Sequence, residues 1–353
     1  MDFKKRFASF LLKWNREQNI RQMPWKGEKD PYKIWLSEII LQQTRVEQGL
    51  SYYNNFLKTF PNVHKLANAP EGKVFKLWEG LGYYTRCRNL IATAGHISKE
   101  CKGNFPETYE AIKALKGIGP YTAAAISSFA FNLPHAVVDG NVFRVLARVF
   151  GIDTPVDAAT GKKYFTALAN ELLDKKQPGL YNQAIMDFGA VVCKPSAPLC
   201  GTCVFKKRCS ALLSNKVNEL PVKQKKISIR KRWFYYLMLE YKTSIAIRQR
   251  TEKDIWQQLY EFPLIETEGE ADYKKIIREA EKREWLTKNK YEILFVSALF
   301  KQQLSHQRIN GQFIKLSVKQ KPPKENLWQW IDKKKINRFA FPQLINQMMK
   351  QKS

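Results

Sequence analysis

Four cysteines that lie close together in the sequence form the first group of side chains able to do chemistry. Cys193, Cys200, Cys203 and Cys209 follow the spacing C-x6-C-x2-C-x5-C, compact enough for four thiolates to bind one metal centre. Chemistry alone allows zinc or an iron–sulfur cluster, and zinc is the commoner occupant of four-cysteine sites. The uneven distribution of the six cysteines is not that of the disulfide framework of a small secreted domain.

Glu38 is an acid in apolar surroundings, and its environment decides whether it can deliver a proton near neutral pH. Its neighbours include Trp35, Ile39 and Leu41. A carboxyl group among them either lies at a helix edge in water or is desolvated, and desolvation raises its pKa. Because acids are rarely buried, the residues by themselves favour the helix edge.

Asp139 stands between a β-branched pair, Val137 and Val138, and Gly140, directly before an apolar-periodic helix that reaches Val149. Aspartate is a preferred N-cap, because its carboxylate accepts backbone N–H groups there. We expect Asp139 to cap this helix, and a capping acid can also be catalytic.

Residues 111–150 predict a helix, a hairpin and a second helix in front of this acid. Gly117 and Gly119 permit positive φ at the turn, and Pro120 suits the first position of the second helix. Such a turn directs free N–H groups outward, where they can bind a phosphate. The alternative is an ordinary glycine-rich turn between helices.

A glycine-flanked pair of aromatic residues forms another candidate site, Gly80-Leu81-Gly82-Tyr83-Tyr84, which Arg86 and Arg88 follow. A tyrosine at such a turn suits a wedge that enters a stack of nucleic-acid bases while the cations bind phosphates. The alternative is a tyrosine pair packed in a helical core.

The charge balance points to a polyanionic partner. The 60 Lys and Arg residues exceed the 32 Asp and Glu residues and give a formal charge of +28, although a solvated lysine-rich surface is the alternative. The 353 residues suffice for two or three domains with cores. No run of about 18 apolar residues occurs, so we expect a soluble, unexported, cytoplasmic protein with no membrane partner.

The pattern of apolar residues changes along the chain and divides it into a helical region and a region with strands. Helical periodicity predicts a mainly α catalytic domain over residues 1–213, with helices over residues 1–19 and 31–44, the second capped by Asp30. Residues 214–232 are basic without periodicity, which predicts a linker. Residues 233–353 predict an α+β domain, with strands over 233–239, 244–248 and 291–296, a helix over 273–285 and a hairpin at Asn310-Gly311.

Four stretches together resemble a known family. They are P-Y-K-I-W-L-S-E-I-I-L-Q-Q-T-R-V from Pro31, G-L-G-Y-Y from Gly80, L-K-G-I-G-P-Y-T from Leu115 and V-D-G-N-V from Val138. These stretches are similar to the helix-hairpin-helix DNA glycosylases, most of all to the MutY-type adenine glycosylases. The resemblance extends over nearly the entire chain.

The resemblance implies that two acids have different catalytic roles. Glu38 is expected to protonate the adenine, while Asp139 stays ionised and faces the cationic sugar. Tyr121 and Asn141 are expected to hold Asp139 and the sugar in position.

The resemblance also implies which residues touch DNA. Tyr83 is expected to be the intercalating wedge, and Gln183, in the helical stretch 180–190, is expected to read the edge of the extruded adenine. The other contacts to adenine or DNA are expected from Trp25, Gln42, Gln43, Thr44, Gly117 and Gly119.

The cysteine spacing matches the [4Fe–4S] loop of MutY and endonuclease III-like enzymes. The resemblance therefore implies a [4Fe–4S] cluster on Cys193, Cys200, Cys203 and Cys209. The basic residues inside the loop, Lys206, Lys207 and Arg208, would face phosphate.

The second domain resembles the Nudix-like C-terminal domain of MutY, including residues 256–263, where Gln258 replaces a usual glycine. A Nudix hydrolase needs a glutamate-rich helix to hold Mg²⁺, and no Glu-Glu pair follows Arg232. We therefore expect lesion recognition and not pyrophosphate hydrolysis. Ser305 and His306 match the family's 8-oxoguanine loop, although Leu304 replaces its aromatic residue.

These observations predict a monomeric, monofunctional glycosylase that releases adenine opposite 8-oxoguanine or guanine in double-stranded DNA, associated with the nucleoid when bound. One alternative is an endonuclease III-like glycosylase and lyase, which has a nucleophilic lysine where this chain has Tyr121. The other alternative is a DNA-binding protein without catalysis, and the presence of both acids argues against it.

Overall fold

The computed structural model describes residues 3–224, 228–322 and 327–351. The chain forms two compact units. The first holds Met1–Asn68 and Arg88–Lys225, and the second holds Ala69–Cys87 and Lys226–Ser353. The first unit is helical, and the second is built around a mixed sheet.

Helices joined by loops make up the chain as far as Leu213. In order they are α1 (Phe3–Glu17), α2 (Pro31–Leu41), α3 (Val46–Thr59), α4 (Val63–Ala67), α5 (Glu71–Trp78), α6 (Thr85–Lys99), α7 (Tyr109–Ala114), α8 (Pro120–Phe131), α9 (Gly140–Phe150), α10 (Ala159–Leu172), α11 (Pro178–Val191) and α12 (Ser210–Leu213). The mainly α prediction for this region is confirmed.

Helix α2 begins where its sequence predicts and ends earlier. The Asp30 side chain accepts the backbone N–H of Tyr32 at 2.9 Å, and Pro31 occupies the first helical position. The predicted continuation to Thr44 is wrong, because the helix ends at Leu41 and Gln43 has a φ of +56°. A residue in the left-handed region cannot continue a right-handed helix.

The hairpin between α7 and α8 forms as predicted, but only one of its glycines needs positive φ. Gly117 has a φ of +77°, and a Cβ there would meet the Asn89 side chain at 2.6 Å. Gly119 has a φ of −89° and is the N-cap of α8, with Pro120 first in the helix. Both glycines permit positive φ, and Gly117 is the one that adopts it.

The core of the helical unit fixes α1, α9 and α11 against one another. The Phe7 ring of α1 stacks on Phe205 with centroids 4.8 Å apart, and Phe188 of α11 meets Phe205 edge-on at 5.3 Å. Leu146 of α9 is fully buried in the same cluster. Burying one such side chain stabilises a fold by about 1.5–3 kcal/mol.

The second unit contains a mixed sheet. Its strands are β1 (Arg230–Tyr241), β2 (Ser244–Gln249), β3 (Tyr260–Glu261), β4 (Leu264–Thr267), β5 (Tyr291–Val296), β6 (Phe300–Gln303), β7 (Gln307–Val318) and β8 (Gln329–Asp332), and its helices are α13 (Tyr273–Lys282) and α14 (Gln343–Lys350). The central path runs β3-β2-β1-β7-β5, and β1 and β7 pair in parallel. The three predicted strands and the predicted helix are confirmed, with small shifts at their ends.

The hairpin predicted at Asn310-Gly311 is wrong. Both residues lie inside β7, and the turn between β6 and β7 is closed by a hydrogen bond from Leu304 N to Gln307 O at 2.7 Å. A Cβ at Gly311 would meet the Leu344 side chain of α14 at 2.5 Å. The glycine therefore permits close packing and does not form a turn.

Residues 69–87 belong to the sheet unit through α5 and the residue after it. Lys76 Nζ donates to the backbone oxygen of Phe339 at 2.9 Å. The backbone N–H of Phe341 donates to Glu79 Oε1 at 2.7 Å. The sheet unit therefore carries Tyr83, although residues 69–87 lie between two segments of the helical unit in the sequence.

The basic stretch 214–232 contains ordered residues at both ends. The Leu220 carbonyl accepts Arg148 Nε, and the Val222 carbonyl accepts the Val156 N–H, both at 3.0 Å. Strand β1 begins at Arg230, inside the range predicted as a linker. Residues 225–227 lie outside the described residues.

In the part of the chain that the structure describes, no helix combines the length and hydrophobicity that a bilayer span requires.

Candidate active site

Helix α2 holds Glu38 inside the protein, where only 7% of the residue is exposed. Burial raises the pKa of its carboxyl group from the ordinary 4.5 to about 7, a hydrogen bond from Tyr121 lowers it, and the charge of Asp139 raises it. The position at a helix edge, favoured from the residues alone, is wrong. Residues 34–40 of α2 are all buried, so this part of the helix has no solvent edge.

Asp139 caps α9, as its sequence position predicts. One carboxylate oxygen accepts the Val142 N–H at 2.8 Å, and the other accepts Asn141 Nδ2 at 2.8 Å. Burial raises the pKa of Asp139 above its ordinary 3.8, and these two donors act in the opposite direction. Two hydrogen bonds thus fix the position of the carboxylate, one from the helix end and one from the Asn141 amide.

Tyr121 lies in the first turn of α8, directly after the hairpin. Its hydroxyl donates to Glu38, and burial raises its pKa well above 10, with further contributions from the charges of Glu38 and Asp139. Tyr121 therefore stays protonated and acts as a hydrogen-bond donor at neutral pH. The hairpin sets this position by starting α8 next to α2.

A cavity of about 910 Å³ lies where these helices meet. Predicted site residues from five separate stretches line it together: Trp25, Glu38, Gln42, Gln43, Thr44, Tyr121, Asp139, Asn141 and Gln183. Its volume falls within the range of about 300–1,000 Å³ that is usual for ligand pockets. The structure thus brings both acids and the expected adenine-reading residue to one cavity.

Two basic residues of this cavity, Arg21 and Lys26, were missed by the sequence analysis, as was the acid that holds them. Asp187 of α11 is fully buried and accepts Arg21 Nη1 at 2.8 Å and Lys26 Nζ at 3.1 Å. The available signal was Asp187 itself, an acid inside the apolar run of residues 184–190.

Two arginines of α9, also missed, connect the capped acid to the cysteine loop. Arg144 Nη2 donates to Asn141 Oδ1 at 2.8 Å, and Arg144 Nε donates to the Cys193 carbonyl at 2.7 Å. Arg148, one turn later, donates to the carbonyls of Lys194 and Pro195. The signal in the sequence was a pair of cations four residues apart on an apolar helix.

The four cysteines of the loop are half-buried or buried free thiols. Among the described residues, no three or more His, Cys, Asp or Glu side chains have a metal-binding arrangement. The pKa of Cys203 is raised to about 12, mainly by burial and in part by the other three thiols, which therefore lie within electrostatic range of it.

Hydrogen-bond donors point at two of these sulfurs. The Phe205 N–H lies 3.4 Å from Cys203 Sγ, and Arg148 Nη1 lies 3.6 Å from Cys193 Sγ. Donors of this kind tune metal-bound thiolates. The donor set therefore fits a four-thiolate centre, although the present side-chain arrangement does not form one.

Tyr83 and Tyr84 have different surroundings. Tyr83 has a φ of +47° and is 46% exposed, with the Arg86 guanidinium 5.5 Å from its ring centroid. Tyr84 is buried, and its hydroxyl accepts the Gly80 N–H. The packed-core alternative therefore describes Tyr84, and Tyr83 has the exposure that a wedge needs.

The two candidate lesion-reading residues lie on the exposed turn between β6 and β7. Ser305 and His306 are both exposed, and the Ser305 hydroxyl contacts the Tyr83 hydroxyl. The His306 carbonyl accepts the Arg230 N–H at 3.0 Å, which ties the turn to the start of β1. Among the described residues that line the cavity, none comes from this turn, from Tyr83 or from the hairpin glycines.

A hairpin that leads into a helix, followed by a capped acid and faced by a second buried acid, defines a helix-hairpin-helix DNA glycosylase. Residues 36–171 match the HhH-GPD superfamily of base excision DNA repair proteins, and residues 234–351 match the NUDIX domain. The chain belongs to the adenine DNA glycosylase family. It is 37% identical over 307 residues to the adenine DNA glycosylase of Buchnera aphidicola subsp. Baizongia pistaciae (strain Bp), an alignment covering 85% of this chain and 83% of the relative.

A mammalian relative agrees with this assignment, and two solved structures share the fold. The adenine DNA glycosylase of Mus musculus is 40% identical over 214 residues, which cover 58% of this chain and 41% of that protein. A thermostable thymine-DNA glycosylase superposes with a TM-score of 0.56 at 29% identity, over 60% of this chain and 97% of that one. An endonuclease III trapped on DNA shares the fold at 17% identity, with a TM-score of 0.52 over 61% of this chain and 99% of that one.

Proposed function

We propose that this enzyme removes adenine that faces 8-oxoguanine or guanine in double-stranded DNA, leaves an abasic site, and works as a monomer. The single observation that carries the proposal is that Glu38 and Asp139 line one cavity in different environments. Two carboxyl groups with different environments can divide acid and charge-stabilising roles between them.

The cavity can receive a base only after the nucleotide leaves the duplex, because the target atoms lie inside the base stack. Trp25 and Gln183 line the cavity and offer, respectively, an aromatic surface and an amide to an extruded adenine. Gln42 donates to Thr122 Oγ1 at 3.3 Å, next to Tyr121. We propose that the residues after α2, Gln42, Gln43 and Thr44, contact DNA at the mouth of the cavity.

Glu38 acts as the general acid in this proposal. With a pKa of about 7 it is substantially protonated at neutral pH, and it delivers its proton to N7 of adenine. The bond between C1′ and N9 then breaks with its electron pair going to the base. The sugar becomes an oxocarbenium ion, water adds to C1′ and loses a proton, and the abasic site results.

Asp139 stabilises the oxocarbenium ion by its negative charge. The Val142 N–H and the Asn141 amide hold the carboxylate in place before the charge develops, so little reorganisation is needed when the sugar becomes cationic. Tyr121, as a protonated donor to Glu38, keeps that acid oriented.

The glycosylase and lyase alternative needs an unprotonated amine at the sugar. Among the described residues that line the cavity, two are lysines, Lys26 and Lys29, but Lys26 pairs with Asp187 and Lys29 donates to the Phe129 carbonyl. We propose that neither forms a Schiff base. Borohydride treatment during turnover should trap no covalent DNA adduct, and a trapped adduct would establish the lyase instead.

We propose that Cys193, Cys200, Cys203 and Cys209 hold a [4Fe–4S] cluster, in agreement with their spacing and with the donors around their sulfurs. When bound, the cluster would crosslink the loop and so order it. The exposed residues Lys206, Lys207 and Arg208 would then meet the DNA backbone. Iron and sulfide analysis of anaerobically purified protein tests this, and a colourless protein with stoichiometric zinc would refute it.

We propose that the sheet unit recognises the base opposite adenine through Ser305 and His306 and does not hydrolyse pyrophosphates. Adenine is an ordinary base, so selectivity must come largely from its partner. A hydroxyl and an imidazole can donate and accept, and can therefore distinguish 8-oxoguanine, with its N7–H, from guanine. Since its substrate is chromosomal DNA, we propose a cytoplasmic enzyme that associates with the nucleoid.

The deciding experiment presents duplexes with adenine opposite guanine, 8-oxoguanine or thymine, followed by alkaline cleavage of the abasic product. Cleavage restricted to the first two supports the proposal. Glu38→Gln and Asp139→Asn should each abolish base release while DNA binding persists. Full turnover in both variants would end the mechanism, and binding of all duplexes without product would favour the non-catalytic alternative.

A further inference from the structure

Asp187 is a fully buried acid beside the candidate active site, and four side chains donate hydrogen bonds to it. One carboxylate oxygen accepts Arg21 Nη1 at 2.8 Å and Gln183 Nε2 at 2.9 Å. The other accepts Asn19 Nδ2 at 2.9 Å and Lys26 Nζ at 3.1 Å. Three of the four donor residues, Arg21, Lys26 and Gln183, also line the cavity.

Arg21 and Lys26 pair with this carboxylate, and a buried carboxylate is stable only when it is paired and hydrogen-bonded. An ionised carboxylate accepts hydrogen bonds and donates none. Gln183 must therefore turn its NH₂ group toward Asp187, so chemistry as well as geometry fixes the orientation of the amide. The carboxamide oxygen then faces away from Asp187.

The Gln183 carboxamide lies at the cavity wall, where it can meet a base that enters the cavity. Among the described residues, none donates a hydrogen bond to the Gln183 side-chain oxygen. This residue is half-buried at the cavity wall. An amide oxygen at the cavity wall accepts a hydrogen bond from an amino group and repels a carbonyl. Adenine carries an amino group at C6, and hypoxanthine, otherwise the same purine, carries a carbonyl there.

We propose that Asp187 is a positioning residue that fixes the Gln183 carboxamide with its oxygen toward the cavity and so gives the site its preference for 6-amino purines. The inference rests on the proposed function, because it concerns the base released by that site. Asp187 acts through Gln183 and makes no contact with the base itself.

The test compares excision of adenine and of hypoxanthine opposite 8-oxoguanine, in single-turnover experiments with the intact protein. In Asp187→Asn the carboxylate no longer dictates the direction of the amide, so Gln183 can turn its NH₂ group toward the cavity. We expect the ratio of the adenine rate to the hypoxanthine rate to fall by roughly tenfold, the equivalent of about one hydrogen bond. An unchanged ratio in a folded Asp187→Asn variant overturns the inference.

A double-mutant cycle separates positioning from a structural defect. Gln183→Leu should lower the ratio, and adding Asp187→Asn to Gln183→Leu should lower it no further, because both changes remove the same interaction. Additive losses would show that Asp187 does not act through Gln183. The matched control is Glu171→Gln, which removes an exposed ion pair with Lys4 outside the cavity and should leave the ratio unchanged.

Two additions to the experiment cover a variant that does not fold and a wild-type protein without activity. If Asp187→Asn does not fold, the double variant Arg21→Gln/Asp187→Asn removes one cation together with the charge and carries the same expectation for the ratio. If the wild-type protein releases no adenine from any duplex, the proposed function fails first. If it does release adenine, the ratio tests the inference alone.

Discussion

The hydroxyl groups of Tyr83 and Ser305 contact each other directly, although 222 residues separate them in the sequence. Both belong to the sheet unit, because the residues before Tyr83 hydrogen-bond to Phe339 and Phe341. The candidate wedge and the candidate lesion-reading turn therefore form one exposed surface. We expect changes at either residue to affect the same step, the recognition of the mispair.

Substitutions at Tyr83 should separate the contribution of the aromatic ring to DNA affinity from that of the hydroxyl group. Tyr83→Ala removes the exposed ring, and because base stacking on an aromatic side chain contributes about 1–3 kcal/mol, affinity for an 8-oxoguanine:adenine duplex should fall roughly 5- to 150-fold. Tyr83→Phe keeps the ring and should weaken binding less than about tenfold. Fluorescence anisotropy with a labelled duplex measures both, and equal affinities of all three proteins would exclude Tyr83 as the wedge.

Ser305→Ala/His306→Ala should lower the preference for 8-oxoguanine over guanine. Each lost hydrogen bond is worth about 1 kcal/mol, so the preference should drop about ten- to a hundredfold. Single-turnover excision from the guanine:adenine duplex should stay near normal. A matched control is Gln320→Ala, at an exposed residue beyond the end of β7. An equal loss on both substrates would indicate a folding defect.

The pH dependence of base release should follow Glu38. Its pKa of about 7 means that the protonated form, which the proposed mechanism requires, is lost as the pH rises through 7. The single-turnover rate should therefore fall about tenfold per pH unit well above pH 7. Rates measured between pH 5 and 9 test this, and a flat profile up to pH 9 would remove Glu38 as the general acid.

The same pKa predicts that the wild-type protein loses stability as well as activity when the pH rises through 7. Because the folded-state pKa of Glu38 is raised from 4.5, its contribution to stability is fully present below pH 4.5 and is lost as the pH rises through 7. A shift of this size corresponds to about 3 kcal/mol. Glu38→Gln, which does not ionise, should raise the free energy of unfolding relative to wild type by up to about 3 kcal/mol at pH 8.

Urea unfolding at pH 5 and pH 8 is the appropriate measurement. The advantage of Glu38→Gln should be much smaller at pH 5, where most of the wild-type side chain is protonated. A stability difference that is the same at both values would mean that Glu38 is not the titrating group.

Gly189→Ala should displace Asn141, whose amide holds the Asp139 carboxylate. A Cβ at Gly189 of α11 would meet Asn141 Cβ at 2.6 Å and the Asn141 backbone at 3.1 Å, so α9 must shift. Overpacking of this kind costs about 1–3 kcal/mol, and base release should fall with it, because Asn141 holds Asp139. Gly95→Ala, with nothing within 4 Å of the new methyl group, is the matched control and should be neutral or stabilising.

The sequence predicted the local elements well because their signals are local. Asp30, Pro120 and Asp139 mark helix starts, and all three helices begin there. The turn predicted at Asn310-Gly311 does not form. The glycine instead permits close packing against Leu344, a residue far away in the sequence. The same limit explains the error at Glu38, whose burial depends on how the neighbouring helices pack around α2.

The parts of the candidate site that the sequence did not reveal are pairings between distant residues. Asp187 was visible as an acid in an apolar helix, but its partners Arg21 and Lys26 come from a loop more than 160 positions earlier. The contact between Tyr83 and Ser305 also depends on tertiary structure. Residue types and spacing can identify candidate donors and acceptors, whereas assigning them to one another requires the fold.

The assignment of residues 69–87 to the sheet unit makes this unit discontinuous in sequence. The chain passes from one unit to the other after residues 68, 87 and 225. A truncated protein that lacks the C-terminal half would leave Lys76 of α5 and the neighbouring Glu79 without their hydrogen-bond partners at Phe339 and Phe341. A chimera that exchanges the C-terminal domain between relatives would therefore have to exchange residues 69–87 as well, because the two pieces fold against each other.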